Sequence, residues 1–390
     1  MARRHSFLLA CILGIALVLS LTGAPLLAAD GDSILNKLKS ISTLSTTKPS
    51  NGDVNPYGLV RVPRSMGNLH EGSYLVSNFN DSDNFQGTGT TIVEISPEGS
   101  LSLFSHIDPT KLLSPCPGGV GLTTALAVLR TGWVIVGSLP TADSGMTITG
   151  PGCLIVLNSE GTPVETIYGS LINGPWDMTA SDDDHSAVLF VTNVLNGTVA
   201  AGGTIVNQGT VVRLNLAVSE KYMPFLVSMT VIADGFSERT DSVALVIGPT
   251  GVALSPDCRD SQDPDGCFTP FGEDEPVLYV ADSLNNRIAV ITDPFTRTAP
   301  AGNGKTLTSG WHLNDPLGLT VAPNGHIISV NGDDGYAVET TPHGQQIAIR
   351  LLDSSGSPPG NGALFGVLYD PWIGDLVYVD DATNTLNKLE

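Results

Sequence analysis

Asn55, Asn173, Asn314 and Asp315 each stand just before a short apolar run, and Thr123 and Thr124 hold the same place in another. Amide, carboxylate and hydroxyl oxygens are the donors that a hard cation such as Ca²⁺ accepts. These oxygens can act together only if the runs that follow them surround one axis. On that condition Asn55, Asn173 and Asp315 form a candidate metal set. Tyr57 and Trp176, close behind them, supply an apolar wall for a small ligand. The competing reading is that each short side chain only caps its own turn before a proline.

Other groupings carry less chemistry. Asp260, Asp263 and Asp265-Gly266 resemble part of a calcium loop, but Ser261 breaks the spacing of the acidic positions. Asp182-Asp183-Asp184-His185 reads as a solvated acidic turn. No Gly-x-Ser-x-Gly elbow and no His-Glu-x-x-His helix occurs. Gly302-Asn-Gly-Lys305-Thr306 has Ala299 where a phosphate-binding loop needs its first glycine. His70, His106, His185, His312, His326 and His343 lie singly, without metal spacing. Trp176, Trp311 and Trp372 read as packing between units.

The elements that must position these residues are short strands. An apolar run ending in a small polar residue occurs six times, as in Tyr74–Asn78, Val134–Ser138, Phe190–Asn193, Ile328–Asn331 and Tyr378–Asp381. The clearest copy lies within Pro276–Ile291. There Val277–Ala281 and Arg287–Ile291 flank a polar turn with Asp282, Asn285 and Asn286, the pattern of a hairpin. A Gly or Pro signal precedes each run, as in Asn55-Pro-Tyr-Gly and Asn314-Asp-Pro-Leu-Gly, and third and fourth strands follow. Four short antiparallel strands per unit, each with an apolar face that only neighbours can cover, predict an all-β, six-bladed β-propeller over 54–390. The last unit, from Gly362, supplies three strands, so the fourth is expected from Ser40–Pro49 in the N-terminal segment 30–53.

Leu278-Tyr-Val-Ala-Asp-Ser-Leu-Asn-Asn-Arg-Ile resembles the core of an NHL repeat, and Asp315-Pro-Leu-Gly-Leu-Thr-Val-Ala-Pro-Asn-Gly-His-Ile resembles the start of one. The likeness is good over about 248–353 and loose elsewhere. Propellers of this kind are similar to a wider set of calcium-dependent lactonases, lyases and non-catalytic binding modules. The resemblance implies turn-tying roles for Asp282, Asn286 and Arg287 and identifies architecture more than chemistry. Lactonase-like propellers hold an axial metal with Glu, Asn and Asp; here the first unit opens on Asn55-Pro56, without that Glu.

Arg3 and Arg4, the apolar stretch Phe7–Leu21 and the small residues of 24–29 have the form of a signal peptide over 1–29, cleaved near Ala28 or Ala29. Export to the periplasm or medium follows, with no membrane anchor after cleavage. The formal charge of −21 disfavours nucleic acid and anionic membranes and favours cationic partners. Four cysteines remain after cleavage, and an even count in an exported chain favours two disulfides. Cys258 and Cys267 close a short loop, and Cys116 with Cys153 follows by elimination. An intact repeat frame without a complete catalytic constellation points first to a binding or scaffold module for a protein, glycan or small molecule. The alternative is a calcium-dependent, lactonase-like hydrolase or lyase with its site on the axis.

Overall fold

The computed structural model describes residues 33–142, 144–145, 147–256, 270 and 275–390. The expected signal peptide, the Cys258–Cys267 pair and Asp260, Asp263 and Asp265 lie outside the described residues. Six antiparallel sheets, each built on four strands, make the blades of a β-propeller. Their innermost strands are Val54–Arg61, Leu122–Val128, Pro175–Asp182, Pro249–Leu254, Pro316–Val321 and Leu364–Asp370, which open blades 1 to 6 in that order. Ile41–Thr46 pairs antiparallel with Thr385–Leu389 and is the outer strand of blade 6. The two ends of the chain therefore close the ring in one sheet. Among the described residues no helix is long and apolar enough to cross a membrane.

Second strands such as Tyr74–Asn80, Val134–Ser138, Leu278–Asp282 and Ile327–Asn331 are buried along their whole length. A strand covered on both faces is mostly apolar, so these segments read as β-branched and aromatic runs that end on a buried polar residue such as Ser138, Asp282 or Asn331. The packing is divided among the seams between blades. Six clusters fill the six seams: Ile135 with Leu189 between blades 2 and 3, Leu75 with Ile155 between 1 and 2, and Tyr74 with Val379 between 6 and 1 are examples. A seventh cluster, around Tyr57, Phe79 and Trp176, sits at the axis.

Every innermost strand carries a register irregularity near its start. The cause is visible in Pro56-Tyr-Gly58, Pro249-Thr-Gly251, Pro316-Leu-Gly318 and Leu364-Phe-Gly366. A Cβ at Gly366 would stand 2.5 Å from the Tyr57 carbonyl oxygen of the next blade, and one at Gly318 closer still to that of Phe365. Bulging at a glycine lets neighbouring inner strands approach around the axis. Blade 3 has Pro175-Trp-Asp177 instead, which puts a carboxylate where four blades have hydrogen.

Blade 3 departs further. Its third and fourth strands, Val206–Ala217 and Phe225–Asp241, are long, and Leu245–Ile247 folds back onto 239–241 as a fifth strand. This strap lies across one end of the axis. Gln86 of blade 1 donates its side-chain N–H to the Val243 carbonyl at 2.7 Å, and Leu245 and Val246 pack into the axial cluster. The Cys116–Cys153 disulfide is present. Trp176 is buried, but Trp311 and Trp372 are 83% and 72% exposed. The expected packing between blades is corrected for Trp311, which sits in an exposed turn; Trp372, though exposed, does lie between blades, under the Arg61 guanidinium of blade 1 at 4.0 Å.

Candidate functional site at the axial mouth

The end of the axis where the inner strands begin holds a cavity of about 590 Å³. Asn55, Tyr57, Trp176 and Asp315 line it. Four of the residues grouped with them from sequence lie elsewhere. Asn173 lines a separate outer groove beside Tyr168 and Pro151, with its side-chain N–H on the Asn196 oxygen at 3.0 Å. It precedes Gly174, and that extra residue carries it away from the axis. Asn314 donates to Asp334 at 3.2 Å. Thr123 is buried in blade 2, where its carbonyl accepts Ser77 Oγ at 2.8 Å. The neighbouring Thr124 lines a second, smaller axial cavity of about 230 Å³.

Local backbone form places the two polar residues that do face the mouth. Asn55 and Asp315 have φ of 61° and 55°, a left-handed conformation that Asn and Asp tolerate best. Each backbone N–H is held by an asparagine from the preceding blade. Asn286 Oδ1 accepts from Asp315 at 2.6 Å, and Asn384 Oδ1 accepts from Asn55 at 2.8 Å. Asn286 and Asn384 are themselves left-handed, at 47° and 53°, and each follows an aspartate, Asp282 or Asp380, by four residues. In blade 4 the rest of the motif ties its own turn: Arg287 grips Asp282 at 2.7 Å, and Asn285 donates to Asp282 at 2.9 Å. The turn-tying reading of Asp282, Asn286 and Arg287 matches this geometry, and the same turn seats Asp315 at the mouth.

Further groups complete the mouth. Gly332 and Asp333 of blade 5, Asn361 and Asp381 of blade 6, and Arg239 and Asp241 of the strap all line it. Arg239 pairs with Asp241 at 2.6 Å. Asn361 donates to Asp333 at 3.0 Å. Gly332 leaves room for the Asp315 carboxylate, since a Cβ there would lie 2.7 Å from its Oδ2. Asp333 and Asp381 were not singled out from sequence. The available signal was positional: each lies just past the end of a second strand, the end that faces this mouth. The strap residues had no such signal, because their place depends on the length of a strand that leaves its blade.

The floor is aromatic. Tyr57 stacks on Phe365 at 4.0 Å and on Phe79 at 4.5 Å, and Trp176 tilts against Tyr57 at 5.7 Å. Tyr57, Trp176 and Phe365 occupy the same position in three inner strands, directly after Pro56, Pro175 and Leu364, so they converge on the axis between the two cavities.

The electrostatics follow from crowding acids into a partly dry space. Burial pushes the Asp315 carboxyl up to about 7, with the charges of Asp333 and Asp241 adding to the rise and Arg239 opposing it. Burial also lifts Asp381 to about 7, and Asp380 contributes. Asp333 is raised by burial, then by Asp334 and Asp241, against its hydrogen bond from Asn361. For Asp241 the burial penalty is outweighed by N–H groups of Ala244 and Val243 and by Arg239, which hold it below the usual range. Asn55 Oδ1 and Asp315 Oδ1 are buried and accept no hydrogen bond from the described residues. Such oxygens are costly unless something satisfies them.

No family model matches the chain, and no curated protein matches it. Solved structures share its fold. A gluconolactonase from Xanthomonas campestris aligns with a TM-score of 0.52 at 13% identity, over 89% of this chain and 88% of that one. The calcium-binding protein regucalcin from Agrobacterium tumefaciens aligns at 0.53 and 13%, over 90% and 93%. A luciferin-regenerating enzyme aligns at 0.54 and 10%, over 90% and 94%. At these identities the likeness is one of fold: this chain is a six-bladed propeller of the gluconolactonase–regucalcin shape.

Proposed function

We propose that the protein is an exported, metal-dependent hydrolase that opens a lactone or similar ester at the axial mouth. The observation that carries this reading is the pair of buried, unpartnered oxygens, Asn55 Oδ1 and Asp315 Oδ1, facing one axial cavity among further carboxylates. The fold neighbours named for gluconolactonase activity and calcium binding support it over a binding or scaffold role. The Cys116–Cys153 bridge supports export. The NHL-like stretch is read as the frame of blades 4 and 5.

Among the described residues no three His, Cys, Asp or Glu side chains converge to hold a metal, so an all-carboxylate or histidine site does not fit. One amide oxygen and one carboxylate with water fit Ca²⁺ or Mg²⁺, which take oxygen ligands and keep waters. Asn55 and Asp315 would hold the cation. When bound it polarises the carbonyl to be attacked. Asp381, ionised at mildly alkaline pH, takes the proton of the attacking water. The ring C–O bond then breaks, and the ring oxygen takes that proton from Asp381 as the hydroxy acid leaves. The aromatic floor and the strap limit water around the reacting ester.

The test is calorimetric and kinetic. Asn55→Ala and Asp315→Ala should each weaken Ca²⁺ binding at least tenfold and abolish calcium-dependent hydrolysis of γ-butyrolactone and gluconolactone. Asn173→Ala, away from the axis, should leave both intact. Equal calcium affinity in all four proteins would overturn the proposal.

A further inference from the structure

The mouth has two chemically different halves, and the division follows blade order. In each blade the inner-strand residue that opens the bulge pairs with a polar residue of the second strand, and the residue after that partner is Phe79, Leu139 and Val194 in blades 1 to 3, but Ser283, Gly332 and Asp381 in blades 4 to 6. Phe79, Leu139 and Val194 pack with Tyr57, Trp176 and the strap residue Val246 in the axial cluster. On the opposite side Asp315, Asp333 and Asp381 line the cavity, and none of them pairs with a Lys, Arg or His among the described residues. Among the described residues Arg239 is the one cationic side chain lining the mouth, and Asp241 already neutralises it.

The charge count makes this asymmetry informative. When all four lining aspartates are ionised, as above neutral pH, the one arginine leaves three negative charges. A divalent cation at Asn55 and Asp315 leaves one. A neutral sugar lactone neither satisfies that charge nor uses an apolar wall. Asn55, only 4% exposed with its Oδ1 unpartnered, shows independently that the cavity is built to receive a group.

Resting on the hydrolase reading, we infer that the substrate is an amphipathic cation: an ester or lactone carrying a protonated amine beside an apolar or aromatic body. The ammonium group lies against Asp333 at the rim. Asp333 and Asp381 flank one segment, since Asn361 holds the Asp333 carboxylate and the Ala363 carbonyl accepts the Asp381 N–H at 2.8 Å. The apolar body lies on the Tyr57–Trp176 side, where aromatic faces also attract cations.

Three probes separate the contributions: phenethylamine, its neutral counterpart 2-phenylethanol, and methylamine, which lacks the apolar body. Binding is measured by calorimetry at pH 8, in low salt with Ca²⁺ present. Phenethylamine should bind at least tenfold more tightly than either of the others. Asp333→Asn, compared at saturating Ca²⁺, should weaken phenethylamine at least fivefold while leaving 2-phenylethanol affinity unchanged. Asn361→Ala, which frees the Asp333 carboxylate, should weaken phenethylamine by a smaller factor. Both residues are exposed, and thermal melts matching wild type confirm that the variants fold. Phenethylamine binding no tighter than 2-phenylethanol, or unaffected by Asp333→Asn, overturns the inference. Hydrolysis of γ-butyrolactone is assayed in parallel. Selective amine binding without any hydrolysis removes the hydrolase reading alone, whereas hydrolysis without amine preference removes this inference alone.

Discussion

Asp177 shows how one side chain sets a pH response. It stands where four other blades have glycine, and its Oδ2 accepts the Val252 N–H of the next blade at 3.0 Å. Burial pushes its pKa up to about 7, against hydrogen bonds from Met178 and Val252. A carboxylate raised on folding stays protonated in the folded state while the unfolded chain ionises. Its contribution is therefore fully present below about pH 4 and is lost as pH rises to about 7, a change of roughly 3–4 kcal/mol. Asn can still accept the Val252 N–H but does not titrate. Urea denaturation of Asp177→Asn should show a gain over wild type at pH 8 that disappears near pH 4. A difference that is the same at both values would show that burial does not control this group. Sequence revealed less of such environments than of residue types. Asn55 and Asp315 were legible as mouth residues because a short polar side chain before Pro and a strand has few uses. Asn173 has the same local look, but a single inserted glycine turns it outward, and only the assembled blade reveals that.

The elements were the most legible level. Alternating Gly-Pro openings and short apolar runs leave a chain few ways to bury its strands, and six seams between blades are the result. The strap escaped because nothing local marks the point where Phe225–Asp241 outgrows its sheet. The turn motif was legible as structure, yet its larger role is between blades. Asn286 combines a left-handed backbone with an acceptor for Asp315 N–H, and these two contributions can be separated. Asn286→Gly keeps the conformation and removes the bond, costing about 1 kcal/mol; Asn286→Ala removes both and costs about 2 kcal/mol. Because the bond seats Asp315, both variants should also weaken Ca²⁺ binding. Chemical denaturation with calcium titration checks the pair. Lost stability with unchanged calcium affinity would show that Asp315 needs no such support.

At the scale of the whole molecule the ring has no single core, so its weakest seam governs its integrity. The ring is closed where Ile41–Thr46 completes blade 6, and the chain before that strand is anchored at one buried carboxylate. Glu339 of blade 5 accepts Ser33 Oγ at 2.7 Å, the Ile34 and Leu35 N–H groups at 2.9 Å, and His326 Nδ1 at 2.7 Å. Ile34 and Leu35 then pack into the seam between blades 5 and 6. Burial raises the Glu339 pKa, but the His326, Ile34, Ser33 and Leu35 hydrogen bonds together outweigh it and hold the carboxyl below its usual range. Its sign is thus opposite to that of Asp177: the stabilisation is present above pH 4.5 and is lost as pH falls through the depressed value. Glu339→Ala leaves several buried donors unpaired and should cost about 3–4 kcal/mol at pH 7. The loss should first appear as release of the N-terminal segment. Limited proteolysis of Glu339→Ala at pH 7 should cut within residues 33–46 before any other part of the ring, and wild type should acquire the same cut only in acid. Wild-type resistance of that segment in the variant would show that the seam holds through the strand pairing alone.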